Sequence, residues 1–390
     1  MLPQCTIVRV HWPVSRISAE LFPDAAPQRS PPRFLRMPMK RGFASLFFKA
    51  ARNMTRLQSK MVRAGTRTLA AQAKAGARRA KAAPRKAPAT PGPASWAFGL
   101  GTWQPSLQVA APGGRRLAYA RYQPAGPVKG LPLLVMLHGC RQTASDFARG
   151  TRMNLLADRM GFAVLYPQQA QSRQSQRCWR WFEPGRGGRE DADAIAALIR
   201  VEIARHDLDA RRVYIAGLSA GAGMAALIAL RHPDLVAAVA LHSGVVMGNA
   251  RNAVDGLSVM RRGTLRAPGA LVGAVAHPEA FRLGMPALIL HGQRDNAVSV
   301  RNAQQLAEQF RHLNGLPPGD SVARVLAEGT KREYRRVDTL RGRTPVVRLC
   351  EIPRLTHAWS GGDGAIEYHA DTGPDASVLL WQFFRRHTRP

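Results

Sequence analysis

Three residue types that together perform acyl transfer occur in this chain in a set order: a serine, then an aspartate, then a histidine. The serine stands in Gly217-Leu218-Ser219-Ala220-Gly221, between the apolar run Val213–Ala216 and an alanine-rich stretch of helical pattern. A strand, a sharp turn and a helix in succession would lift the hydroxyl above a sheet. The flanking glycines are needed because Cβ atoms beside so tight a turn would collide. The helix N-terminus would then face the negative charge that develops on an attacked carbonyl oxygen. Asp295 follows the strand-like run Met285–Leu290, in His291-Gly292-Gln293-Arg294-Asp295, and His357 sits in the loop Thr356–Gly362 after the strand-like run Val346–Ile352. Nucleophile, orienting acid and general base in that chain order, each past a strand end, are the parts of a serine hydrolase.

Such chemistry also needs two backbone N–H donors for the oxyanion. Ala220 supplies one by position, directly after the nucleophile. The second is expected in the loop His138-Gly139-Cys140-Arg141-Gln142, which ends the apolar run Leu133–Leu137. Glycine just before the donor lets the backbone approach a carbonyl, which favours the amide of Cys140, with that of Arg141 as the second choice.

The elements that must hold these residues alternate. The patterning predicts strands over 115–122, 132–138, 162–167, 212–216, 236–242, 286–291 and 346–352, and helices over 146–159, 191–206, 220–231, 299–313 and 375–387. Alternation of this kind implies an α/β fold: a mainly parallel sheet with helices on both faces. The Gly- and Arg-rich segment 248–284 falls between strands and reads either as a partial lid or as a surface excursion.

Five stretches, Leu137-His-Gly-Cys140, Cys178-Trp-Arg-Trp-Phe182, Gly217–Gly221, His291–Asp295 and His357-Ala-Trp-Ser-Gly-Gly362, together resemble the polyhydroxybutyrate (PHB) depolymerase family of esterases. The resemblance spans about residues 100–390. It implies an α/β-hydrolase fold and cleavage of 3-hydroxyalkanoate oligo- or polyesters, in a group that shades into feruloyl and acetylxylan esterases. By the same resemblance, Ser219, Asp295 and His357 are the triad, Cys140 and Ala220 the oxyanion donors, and Trp179, Trp181 and Trp359 substrate-contacting aromatics. No metal or other cofactor is implied. Thr356 stands where the family often has glycine. About thirty residues follow His357, too few for a linker and polymer-binding domain, which favours oligomers, amorphous granules or small esters over crystalline polymer.

Composition bounds the remainder. The net charge of +32 is uneven, with 19 Lys/Arg against 2 Asp/Glu in residues 1–95 and 38 against 23 afterwards. Residues 1–95 therefore read as a basic, partly disordered extension ahead of a catalytic domain over 96–390. Within it, positions 43–72 have apolar residues at helical spacing opposite lysines and arginines, and positions 73–95 are Ala/Lys/Pro-rich linker. Residues 40–90 could contact an anionic membrane, a polyester granule or DNA, or the helix could pack on the domain and the linker stay solvated. A chain whose extension does the work, as a granule- or nucleic-acid-associated binding protein, is the competing reading from another class. The chain as numbered shows no secretory signal, which places it in the cytoplasm or on a granule, although relatives are often exported. Cys140 and Cys178 form either a disulfide or two free thiols. The oligomeric state is not encoded in any motif.

Overall fold

The apolar runs read from the sequence become adjacent strands of one sheet. The structure, a computed structural model, describes residues 8–9, 98–126, 128–183 and 186–390. The amphipathic helix expected over 43–72 and the linker over 73–95 lie outside the described residues, which all belong to one compact unit.

Strands β1 (Val8–Arg9), β2 (Thr102–Ala111), β3 (Arg115–Gln123), β4 (Leu133–Leu137), β5 (Ala163–Gln168), β6 (Val213–Leu218), β7 (Ala238–His242), β8 (Ala287–Gly292), β9 (Ser321–Leu326), β10 (Tyr334–Arg341) and β11 (Thr344–Ile352) lie in the order β1-β9-β10-β11-β8-β7-β6-β4-β5-β3-β2. From β5 to β11 the pairing is parallel; β2 and β3 on one side, and β10, β9 and β1 on the other, are antiparallel. Parallel strands need crossovers, and the crossovers supply the helices. Those are α1 (Ala144–Thr151), α2 (Met153–Met160), α3 (Arg186–His206), α4 (Ala220–Arg231), α5 (Ala253–Arg262), α6 (Pro268–Val272), α7 (Pro278–Leu283), α8 (Arg301–Leu313) and α9 (Ala376–Phe384).

Strand periodicity divides the core in two. On β4, Leu133, Val135 and Leu137 face the cluster built with α3, α4 and α8, whereas Leu134 and Met136 face the one built with α1, α2 and α9. All five are buried, because a central strand covered on both faces has no solvent side. The arrangement is the expected α/β-hydrolase fold.

Two expectations are corrected, and the segment left open between a partial lid and a surface excursion takes a definite form. The helix predicted over 146–159 is two helices, broken at Arg152, whose left-handed backbone (φ 54°) ends α1 and starts α2. Strands β2, β9 and β10 escape the pattern because β2 is mostly exposed, β9 mostly half-buried and β10 arginine-rich, so none alternates cleanly. The segment 248–284 holds α5, α6 and α7, hung on buried amides of α8 as a surface excursion. Asn302 accepts from the Val246 amide (3.2 Å) and donates to the Val259 and Met260 carbonyls. Gln309 accepts from Met247 N–H (2.9 Å) and donates to Met247 O (2.8 Å), and Gln305 pairs in the same way with Thr264.

Asn302→Leu leaves the buried Val246 N–H without a partner, whereas the Val259 and Met260 carbonyls keep the N–H groups of Gly263 and Ser299. It should cost about 1–3 kcal/mol of stability. A urea midpoint unchanged from the parent would remove Asn302 as the anchor of this excursion.

Candidate active site

The turn after β6 is held by contacts that no side chain could share. A Cβ on Gly217 would lie 2.3 Å from the Gly221 carbonyl carbon, and one on Gly221 would lie 2.1 Å from the Leu137 oxygen and 2.6 Å from that of His138. Between them Ser219 takes φ 57°, ψ −118°, a conformation that costs an L-residue energy and marks a functional position. Its amide donates to His242 O (2.9 Å), and its carbonyl accepts from Gly223 N–H (3.0 Å), so the strained residue is fixed from both sides.

The end of β4 meets this turn. A Cβ on Gly139 would sit 3.4 Å from Leu218 O and 3.7 Å from the Ser219 Cβ, so the loop after β4 adjoins the serine. The amides of Cys140 and Ala220 are not spent on backbone partners outside their own elements. That of Arg141 donates to Gln176 O (2.6 Å) and is unavailable as an oxyanion donor. Cys140 is bonded to Cys178 by a disulfide, resolving the alternative left open by the sequence.

Buried polar groups brace the loop from behind. Gln142 accepts from Gly139 N–H (2.8 Å) and donates to Glu367 O (3.3 Å). His138 Nδ1–H donates to Gly139 O (2.8 Å), which leaves Nε2 to accept from Gln169 N–H (3.2 Å). Gln169 in turn donates to the buried Asp191 (2.8 Å), which is paired with Arg115 (2.6 Å). Burial holds His138 down at about 4.

Asp295 and His357, 62 residues apart, meet past the ends of β8 and β11: His357 Nδ1–H donates to Asp295 Oδ2 at 2.8 Å. That bond fixes the tautomer and leaves His357 Nε2 free. Asp295 Oδ1 accepts from Ala297 (3.0 Å) and Val298 (2.8 Å) N–H. Burial raises the Asp295 carboxyl, but its hydrogen bonds with His357 and Val298 N–H and its electrostatic interaction with the histidines beside it outweigh that and hold the group below its ordinary value. His291 Nε2–H donates to Val298 O (2.8 Å) and stands 3.5 Å from Asp295 Oδ2.

The three tryptophans are packed inside. Trp179 is fully buried with its ring 5.5 Å from His138, and Trp181 lies over the first turn of α4, where a Cβ on Gly223 would come 2.7 Å from its ring. Trp359 is wedged between Phe147 and His242, and its Nε1–H donates to Ser377 Oγ (3.3 Å). The expectation of substrate-contacting aromatics is thereby corrected for Trp359, whose ring is enclosed by protein on both faces. Trp179 and Trp181 pack against His138 and the first turn of α4.

Sequence reasoning missed Gln142, His242 and Tyr368. His242 Nε2 accepts from Ser360 N–H (3.2 Å), linking the serine turn to the histidine loop. Tyr368 has a left-handed backbone (φ 64°) and sets its ring edge-on to His357 at 6.5 Å. Gln142 had a signal, its place in the Gly139 motif. Tyr368 had none, since only the bridge Trp359↔His369 brings it back. Among the described residues no group of three or more His, Cys, Asp or Glu could hold a metal ion, and no helix is long and apolar enough to cross a membrane.

Residues 117–335 match the family model described as esterase PHB depolymerase. Poly(3-hydroxyalkanoate) depolymerase C of Paucimonas lemoignei is 30% identical over 277 residues, which are 68% of this chain and 66% of that enzyme. Feruloyl esterase B of Neurospora crassa is 30% identical over 220 residues, 51% of this chain and 74% of the relative. In three dimensions an acetyl xylan esterase from Aspergillus awamori superposes with a TM-score of 0.57 at 20% identity, over 73% of this chain and 99% of the other. The chain thus spans just under two thirds of the length of the depolymerase.

Gly221→Ala sets a methyl against two backbone oxygens. It should lower stability by about 3 kcal/mol or more and abolish esterase activity; a folded, active variant would show that the turn is looser than described. Acid should also destabilise the fold. His138 and His242 stay neutral when folded down to about 4 and about 3, mainly because they are buried, against 6.5 when unfolded. Unfolding therefore takes up protons, so stability is complete above about pH 6.5 and falls as the pH drops toward the folded values. The depressed Asp295 adds a further loss below the ordinary carboxylate range. Urea midpoints should decline from pH 7 to 4, and His242→Gln should shallow the decline; the same slope in both proteins would contradict a neutral buried His242.

Proposed function

This chain belongs to the esterase PHB depolymerase family, a family of carboxylic ester hydrolases, and we propose that it cleaves 3-hydroxybutyrate-type oligoesters through an acyl-serine at Ser219. The observation that carries the reading is the Ser219 turn, with two unspent amides beside it and a hydrogen-bonded Asp295–His357 pair past neighbouring strand ends. His357 Nε2 takes the hydroxyl proton as Ser219 attacks the ester carbonyl, and Asp295 stabilises the imidazolium that forms. The oxyanion rests on the N–H groups of Cys140 and Ala220. His357 then gives its proton to the leaving alcohol, and water, activated by the same imidazole, releases the acid. The relatives named as feruloyl and acetylxylan esterases support a second substrate class at the same machinery. For the basic extension, which holds 19 Lys/Arg against 2 Asp/Glu, we propose contact of residues 40–90 with an anionic granule, membrane or DNA surface.

Purified protein assayed on soluble 3-hydroxybutyrate oligomers, methyl ferulate and acetylated xylan tests the proposal. Release of 3-hydroxybutyrate is expected, with Ser219→Ala lowering kcat by about 10⁴-fold or more and Asp295→Asn by about 10³–10⁴-fold. Preference for ferulate or acetyl groups would move the enzyme to the second class, and turnover retained by Ser219→Ala would end the mechanism. Deleting residues 37–95 should abolish association with granules, anionic vesicles or DNA while ester hydrolysis persists. Association retained by the truncated protein would refute the role of the extension.

A further inference from the structure

Away from the ester site, β9, β10 and β11 form an arginine-lined cavity of about 270 Å³, closed on one side by residues at and beyond the end of α9. It lies toward the Thr344 end of β11, whereas the His357 loop leaves from the Ile352 end. Five arginines, Arg324, Arg336, Arg343, Arg348 and Arg386, line it with a single carboxylate, Asp338.

That carboxylate is fully engaged. Arg348 Nε and Nη2 donate to its two oxygens at 2.6 and 3.0 Å, and Arg336 Nε lies 3.1 Å from Oδ2. The side chains of Arg324, Arg343 and Arg386 have no hydrogen bond or ion pair with the described residues. Strand register aggravates the imbalance: Arg324 lies directly opposite Arg336, just as Asp338 lies opposite Arg348. Like charges directly opposite on neighbouring strands destabilise a sheet, and among the described residues only the Arg336 side of this pair has a carboxylate partner, Asp338. These arginines line one concavity from three strands, the β10–β11 turn and the stretch after α9, with Arg324, Arg343 and Arg386 open to solvent.

We propose that this cavity binds a compact oligophosphate, two or three linked phosphate groups either free or carried by a nucleotide. The planar guanidinium fork matches phosphate oxygens in pairs, and a multiply charged anion supplies what a surplus of several arginines lacks. The volume fits a short phosphate chain, not a nucleic-acid duplex. The site is separate from the ester chemistry, so its ligand does not compete with ester substrates.

The test is titration calorimetry of the full chain with sodium tripolyphosphate, and in a parallel arm with ATP, at physiological ionic strength. The basic extension also attracts polyanions, so the decisive comparison is between variants that all keep it. Arg324→Gln/Arg343→Gln/Arg386→Gln should weaken tripolyphosphate binding at least about tenfold, whereas Arg116→Gln/Arg159→Gln/Arg261→Gln, which removes the same charge from exposed arginines elsewhere, should leave it within about twofold. Both variants should retain the parent's ester turnover, which reports that they are folded. ATP binding at least about tenfold tighter than tripolyphosphate assigns a nucleotide, and equal binding assigns the phosphate chain alone. Equal weakening in the two variants, or none in the cavity variant, overturns the proposal.

Discussion

Everything at the ester site depends on one close backbone approach. The turn after β6 presses against the end of β4 so tightly that Gly221 has room for no Cβ beside the Leu137 and His138 carbonyls, and Gly217 none beside Gly221. That approach forces Ser219 into its strained conformation, and it carries the loop after β4 alongside the serine. Two amides from segments 80 residues apart in sequence are thereby brought to one place. Donors held on so fixed a backbone need no rearrangement when substrate arrives, which is where most of the value of the proposed oxyanion site lies.

A strained turn persists only if its surroundings over-determine it. Here the supports are buried polar chains running behind the site, from Arg115 through Asp191 and Gln169 to His138, and from His242 to Ser360. The two histidines along them remain neutral because burial disfavours their charge. The Cys140–Cys178 disulfide joins the oxyanion loop to the segment carrying Trp179 and Trp181, across a sequence separation of 38. Aromatic bulk therefore serves rigidity: the indoles fill the volume under the loop and the nucleophile helix.

The sheet gives its two ends different work. The parallel centre, closed to solvent, positions the reacting groups past its C-terminal edge, as crossover topology dictates. The antiparallel addition β9–β11 is not needed for that geometry beyond supplying the strand before His357, and there the arginine surplus gathers around Asp338.

Much of this was legible in the chain. Apolar runs of five or six residues located the central strands, the glycines around Ser219 gave the elbow, and strand-end positions picked out Asp295 and His357, which the fold brings into a hydrogen bond. Periodicity is strong where both faces of a strand are buried, so those elements declared themselves. It is weak where a strand is exposed, half-buried along its length or arginine-rich, which is why β2, β9 and β10 were silent. The break at Arg152 was silent too, because one left-handed residue does not disturb an apolar pattern. Nor could local sequence separate the Cys140 amide, left free, from that of Arg141, spent on Gln176, or distinguish an indole in the core from one facing substrate. Residue type and spacing thus determined the chemistry and the central sheet by themselves. Tertiary structure alone decided which amides remain unspent, which aromatics are enclosed, and that Tyr368 returns to His357, because each depends on partners distant in sequence.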